Sequence, residues 1–212
     1  FDNNEVIFKN YQISSKLIIN TDFRFNKFLN LKPDREEKKE YDEFAVTASF
    51  KTDTNLENRA EQHFREAKIL AILPYADHEF SIVLSGLKKG DEKFFNDSGE
   101  KLINFINKQT NLRSVKLSSK INHFPLSFYK IKHDPKLRSL YIGDAGHRVH
   151  PLAGLGLNLG LGDIQMIDSL ISDKRIIDPG QENFIKKYAI SRSIDESIVM
   201  HLTDHLDEAL VN

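Results

Sequence analysis

The 212-residue chain has no cysteine, no tryptophan and only two methionines. Without thiols there are no disulfides and no thiolate metal site, which fits a reducing compartment. No apolar run reaches the roughly 18 residues that a membrane span requires, and the opening Phe1-Asp2-Asn3-Asn4-Glu5 begins no basic-then-apolar signal segment. Charge of one sign is lacking too. Thirty basic residues stand against 31 acidic ones, a formal net charge of −1, so no global basic field points to nucleic acid. There is no internal repeat, and no strand followed by Gly-x-Gly-x-x-Gly and a helix precedes residue 143, so the usual ADP-binding unit of dinucleotide folds is missing. These absences leave a soluble, cytoplasmic protein that would meet a membrane only peripherally.

What is present is 40% apolar residues, enough for a buried core. Glu5 to Lys9 and Tyr11 to Asn20 read as two short strands around Lys9-Asn10. The run Lys32-Pro33-Asp34-Arg35-Glu36-Glu37-Lys38-Lys39-Glu40 reads as a solvated connector with a short helical turn. Phe44 to Lys51, Ile69 to Tyr75 and Phe80 to Leu84 are rich in β-branched and aromatic residues, with Ala76-Asp77-His78 as a tight hairpin, which predicts an antiparallel sheet. Ser98 is placed to cap a helix from about Gly99 to Lys108 that carries Leu102, Ile103 and Ile106 on one face. Val115 to Leu117, Phe124 to Lys132 and Ser139 to Ile142 read as further strands. Two helices follow at about Leu157 to Ser172 and Glu182 to Leu210, separated by Asp178-Pro179-Gly180.

The most informative stretch runs from Tyr141 to Asp163: a strand ending on Gly143-Asp144, a loop carrying Pro151, and a glycine-lined helix start at Gly154-Leu155-Gly156-Leu157-Asn158. An aspartate at a strand's carboxyl end can accept hydrogen bonds from sugar or ribityl hydroxyls, and glycines let backbone amides approach a ligand. The helix start then directs open amides and a positive dipole end at an anion. The pattern Gly-Asp, six residues, Pro, then Ala-Gly-x-Gly-x-Asn-x-Gly resembles the C-terminal flavin motif of aromatic-ring flavin monooxygenases, most closely the ubiquinone-biosynthesis hydroxylases of the UbiH group. Glu57-Asn58 through Phe64 to Leu70-Ala71-Ile72-Leu73-Pro74 resembles a second family segment, and Tyr188 with Arg192 resembles the element after the flavin helix. Asn20-Thr21-Asp22-Phe23 aligns with the family's Gly-Ala-Asp-Gly. There Asp22 matches, Phe23 stands where the family has glycine, and Asn26 stands where it has serine.

The resemblance implies an α+β fold of the para-hydroxybenzoate hydroxylase type, incomplete: an α/β flavin-domain portion plus an antiparallel substrate sheet that covers the flavin from its ring side. Residues 1–30 would be flavin-domain strands with the degenerate motif, residues 31–135 the substrate-sheet region, and residues 136–212 the flavin motif and C-terminal helices. It implies FAD as cofactor, held by Gly143, Asp144, Pro151, Gly154, Gly156, Leu157 and Asn158, and NAD(P)H as electron donor. Reduced flavin would activate oxygen for transfer of one atom to a prenylated aromatic quinone precursor, with a missing N-terminal FAD-binding half supplied in a longer chain or by a partner, and contact with a membrane surface or biosynthetic complex. No catalytic base is assigned. The other reading is a non-catalytic remnant or accessory protein that binds flavin weakly or not at all.

Several residues have plainer readings. Asp144 by itself would be a turn cap and Pro151 a loop stiffener. Gly160 and Gly162 lie beyond the first helical turn and are expected to serve close packing, and Asp163 to touch solvent or neighbouring backbone. His147 with His150, and His201 with His205, have suggestive spacing but no accompanying His-Glu-x-x-His arrangement or cysteine, so no metal site is expected. Ile198, Leu202, Leu206 and Leu210 are expected to form a core stripe on the last helix.

Overall fold

A computed structural model describes residues 4–8, 11–22, 36–65, 67–88, 90–91, 99–149 and 154–211. In chain order the first strands are β1 (Asn4–Phe8), β2 (Tyr11–Ser15), β3 (Ile18–Asn20) and β4 (Glu36–Lys51). Then come β5 (Glu61–Arg65), β6 (Lys68–Ala76), β7 (Glu79–Lys88), helix α1 (Glu100–Gln109), β8 (Lys116–Leu117) and β9 (Asn122–Ile131). The chain closes with β10 (Ser139–Tyr141), β11 (His147–Arg148), α2 (Gly156–Ser172) and α3 (Glu182–Val211). The main sheet has the order β11-β9-β4-β7-β6-β5, with β8 also on β4. Contacts divide the chain into a unit of residues 1–39 and 127–204 and a unit of residues 40–126 and 205–212. The mixture of helices with an antiparallel sheet is the α+β class expected.

In the second unit, period-two alternation decides the packing. Phe44, Val46, Ala48 and Phe50 of β4 align with Leu87, Leu84, Ile82 and Phe80 of β7, and Leu84 and Ile82 in turn with Leu70 and Ile72 of β6. These residues are buried together beneath Leu102 and Ile106 of α1, so one sheet face and one helix face close a single core. The Phe50 and Phe80 rings stack at 5.5 Å. The other face carries Thr47, Ser49, Ala71, Ser81 and Val83 in the same rows, with the Ser49 and Ser81 hydroxyls 3.1 Å apart. Pro74 is tolerated inside β6 because the register shifts between Pro74 and Ala76.

Two expectations change here. Glu36 to Glu40 is strand, not connector, since sheet pairing overrides a charge-rich local composition; Lys32 to Arg35 lie outside the described residues. Helix α1 has Gly99 as its N-cap, in a left-handed conformation at φ 66° and without a side-chain cap bond; Ser98 lies outside the described residues. β5 and β11 are short strands that composition did not reveal.

The first unit is built around β10, whose Ser139, Leu140 and Tyr141 are all buried and which pairs in parallel with β3. The segment read as one strand from Tyr11 to Asn20 is therefore two, broken at Lys16-Leu17: β2 pairs with β1, and β3 with β10. Leu140 packs with Ile167 of α2 and with Phe184, Ile185 and Tyr188 of α3. The Asp178-Pro179-Gly180 break also fastens the unit. Arg138 donates to both oxygens of Asp178 at 2.8 Å and to the Lys16 carbonyl at 2.9 Å. On α3, Ile198 and Leu202 are exposed rather than core, because the buried face of this helix turns on Phe184, Tyr188, Arg192 and Glu196. The side chains of Leu206 and Leu210 lie outside the description.

Candidate functional site

β10 delivers the chain to a single helical turn at Gly143–Ala145 that leaves Asp144 exposed and Ala145 buried. β11 then pairs His147 and Arg148 with Lys130 and Tyr129 of β9. After Gly154 and Leu155 the chain enters α2, whose N-cap Leu155 provides no side-chain bond and whose first turn has no acidic residue. The amides at Gly156, Leu157 and Asn158 are thus open at a positive dipole end. Gly154, Gly156, Leu157 and Asn158 are all exposed, Leu157 to 75%.

Gly154 has φ +61° and Gly143 φ +53°, and neither would place a Cβ within 4 Å of another group. At both positions the left-handed backbone favours glycine. Gly156 is different. It is helical, and among the described residues a Cβ there would meet only Val149 Cγ2, at 3.9 Å. Among the described residues, Gly154, Gly156 and the exposed Asp144 crowd no neighbouring side chain, which leaves room for a ligand such as a flavin.

Beneath this edge lies a buried polar cluster. Asp163 of α2 is fully buried, and its Oδ2 accepts the Gly143 N–H at 2.8 Å and lies 2.7 Å from His147 Nε2. Its Oδ1 accepts from Arg192 Nε at 2.7 Å. The Arg192 guanidinium also donates to the Leu159 carbonyl at 3.0 Å and to the Asp195 carboxylate. Nearby, Lys130 Nζ lies 3.1 Å from Glu196 and 3.3 Å from Ser193 Oγ. The helix glycines make room for this arrangement. A Cβ on Gly162 would come within 3.0 Å of the Arg192 guanidinium nitrogens, and one on Gly160 within 3.5 Å of Gly143 Cα.

Burial pushes the Asp163 carboxyl upward, but the hydrogen bonds from His147, Gly143 and Arg192 together outweigh it and hold the group below the ordinary aspartate value. Burial raises the Tyr188 hydroxyl far above the usual tyrosine value, and the charges of Asp163 and Glu196 add to this. Burial keeps His133 below the usual histidine value, with Nε2 placed 3.1 Å from the backbone N and O of Tyr141. His147, Asp163 and Glu196 lie close enough to share an ion. Their carboxylates, however, are already engaged by Arg192, Lys130 and the Gly143 amide, a donor set that neutralises them as an ion-pair network.

Of the sequence-predicted site residues, the structure brings Gly143, Asp144, Gly154, Gly156, Leu157 and Asn158 onto exposed or half-exposed positions of one unit. Pro151 and His150 lie outside the described residues, as do Phe23 and Asn26. Asn20 is buried and accepts the Asp22 N–H through its side chain at 3.0 Å. Of the two contacts expected for Asp163, solvent or neighbouring backbone, the structure shows the second, at the Gly143 amide; the expectation missed Arg192 and His147, which pair a carboxylate buried on the inward face of α2. Sequence reasoning noted His147, Asp163 and Arg192 separately without joining them. The available signal was the four-residue step from Gly143 to His147, and two helix residues facing one turn.

The FAD binding domain family matches residues 18–192, and the chain belongs to it. Among curated relatives it is 25% identical over 213 residues to the ubiquinone hydroxylase UbiM of Neisseria meningitidis, covering 98% of this chain and 46% of the relative. It is 26% identical over 204 residues to the mitochondrial ubiquinone biosynthesis monooxygenase COQ6 of Homo sapiens, covering 78% of this chain and 44% of the relative. The chain therefore spans about half the length of the curated relatives it matches. The crystal structure of PqsL, a probable FAD-dependent monooxygenase from Pseudomonas aeruginosa, superposes with a TM-score of 0.73 at 15% identity, covering 95% of this chain and 58% of that one. The fold is that of the para-hydroxybenzoate hydroxylase-like flavin monooxygenases. Among the described residues no helix is long and apolar enough to cross a membrane.

Proposed function

We propose that this chain is the C-terminal part of an FAD-dependent monooxygenase that hydroxylates an aromatic, prenylated ubiquinone precursor with NAD(P)H and oxygen. The observation that carries the reading is the open edge formed by Asp144, Gly154, Gly156 and the first amides of α2, in the segment where the family motif falls. Bound flavin would supply electron transfer from the nicotinamide and activation of oxygen. The chain's own groups bind and orient. Asp144 accepts from a ribityl hydroxyl, and the amides of Gly156, Leu157 and Asn158 stabilise negative charge at the pyrimidine edge. No side chain is assigned as a general base.

The ADP half of FAD requires a unit this sequence does not contain, and the matched relatives are about twice as long. The missing half, in the same chain or on a partner, is supported by α2 itself. Leu157, Leu161, Ile164 and Ile171 form an exposed apolar stripe beside the face that holds Asp163 and Ile167, more apolar surface than a solvated helix normally presents. Contact with a membrane surface or biosynthetic complex belongs to the same reading.

The test is an absorbance spectrum and hydroxylation assay of the purified chain, with and without the N-terminal FAD-binding half of a related hydroxylase. The reading requires flavin to be retained and a quinone precursor to be hydroxylated when the half is present. A colourless mixture that consumes no NAD(P)H overturns it in favour of a non-catalytic accessory protein.

A further inference from the structure

The cluster under the motif turn holds a group that the proposed chemistry does not use. Asp163 touches no expected position of the cofactor, yet it is fully buried and bridges three separate elements: the Gly143 turn, His147 of β11 and Arg192 of α3. Its bond to the Gly143 N–H acts on the residue immediately before Asp144. Gly143 has a left-handed φ of +53°, which leaves the turn free to adopt other conformations unless something holds it. A carboxylate accepting a backbone N–H makes a stronger and shorter bond than a neutral acceptor would. His147 anchors the far end of the same turn to the same oxygen. The other charges nearby are Glu196, paired with Lys130, and Asp195, paired with Arg192; Tyr188 and His133 complete the surroundings.

We propose that Asp163 is a positioning residue: held in place by Arg192, it fixes the Gly143–Asp144 turn from below so that the Asp144 carboxylate stands in the orientation that meets the flavin ribityl chain. This rests on the flavin reading above. Arg192 is then the positioner's own support, and Gly162 is glycine because the guanidinium must lie against the flank of α2. The cluster thereby links Arg192 of α3 to the geometry of the Gly143 turn.

The test uses the 212-residue chain and two variants, Asp163→Asn and the double variant Asp163→Asn/Arg192→Gln. The double change removes both charges together, so no unpaired charge is left buried should the single variant fail to fold. Hydrogen exchange at the Gly143 amide is the first readout and needs no flavin. It is expected to accelerate at least tenfold in a folded variant, with the Leu140 amide of β10 unchanged. The second readout is FAD titration, followed by flavin fluorescence in the presence of the related N-terminal half, at a temperature where circular dichroism shows every protein folded. A tenfold or greater weakening in the folded variant supports the proposal, and unchanged Gly143 exchange or unchanged FAD affinity overturns it. A parent chain that takes up no FAD would instead sink the flavin reading, while the exchange measurement would still report whether Asp163 holds the turn.

Discussion

Arg192 Nε lies 2.7 Å from Asp163 Oδ1, and both side chains are almost entirely buried, one on α3 and the other on α2. Two charges withdrawn from water in this way add little net stability, since desolvation offsets much of their attraction. Their value lies in specificity. The pair permits one rotation of α2 about its axis, the one that puts Asp163 beneath Gly143 and leaves the Gly156, Leu157 and Asn158 amides open.

Removing one partner is accordingly far more harmful than the pair is beneficial. Arg192→Met leaves a buried carboxylate without its counter-charge and opens the Leu159 carbonyl, and is expected to cost about 3–5 kcal/mol in urea unfolding. Arg192→Lys keeps the charge but loses the planar fork that reaches Asp163, Leu159 and Asp195 together. It should fall between parent and Met. A Met variant as stable as the parent would show that the pair does not exist in solution.

The two inner glycines of α2 should respond in opposite directions. Alanine in a helix interior is favoured over glycine by about 1 kcal/mol. At Gly160 the new Cβ meets Gly143 Cα at an ordinary contact distance of 3.5 Å, so Gly160→Ala should be neutral or stabilising. At Gly162 it meets the guanidinium nitrogens at 3.0 Å. Arg192 is held by three partners and cannot yield freely, so Gly162→Ala should destabilise by about 1–3 kcal/mol, the range for overpacking. Denaturation midpoints of the two variants falling in the reverse order would contradict the packing described.

The sequence made the outline of this molecule readable for a physical reason: period-two alternation in β4, β6 and β7 agrees with the face each strand buries, whereas on α3 the apolar positions Ile198 and Leu202 are exposed. Its failures lie where long-range pairing decides. Glu36 to Glu40 has the composition of a loop and is strand, and Tyr11 to Asn20 is continuous in composition but serves two different partners. The motif's exposed rim was legible because glycine, aspartate and proline carry local signals. The Asp163 cluster beneath it was not, because an aspartate in a helix looks the same whether it faces solvent or an arginine 29 residues away.

His133 sets a pH dependence near neutrality. Burial disfavours its charged form, so the folded pKa lies below the ordinary value of about 6.5 that the unfolded chain retains. As pH falls through 6.5 the unfolded state takes up a proton that the folded state resists, and stability declines toward the lower folded value. Glu196 and Asp163 face the ring and oppose the shift, and His147 adds to it. His133→Phe keeps a ring against Tyr188, where the histidine now sits edge-on at 5.2 Å, and removes the titration. Urea midpoints between pH 7.5 and 5.5 should fall less steeply for this variant than for the parent; equal slopes would mean that His133 does not titrate differently on folding.

Gly156 offers the most direct test of where the cofactor lies, because the structure separates folding from binding at that position. The residue is helical, not left-handed, and among the described residues a Cβ there meets only Val149 Cγ2, at 3.9 Å. Gly156→Val should therefore leave circular dichroism and the unfolding midpoint close to the parent. If the flavin occupies that space, the branched side chain excludes it, and flavin content in the presence of the related N-terminal half should collapse together with hydroxylation. Asp144→Ala, an exposed change that removes one charge-assisted bond worth about 1.5–3 kcal/mol, should weaken flavin by roughly 10- to 100-fold and likewise spare the fold. Gln165→Lys, on the exposed face of the same helix, should leave both readouts within a few fold, since surface changes of this kind are usually worth under about 0.5 kcal/mol. Full flavin retention by a folded Gly156→Val protein would show that the ligand does not approach this end of α2, and the assignment of the Asp144 to Asn158 edge as its seat would fall with it.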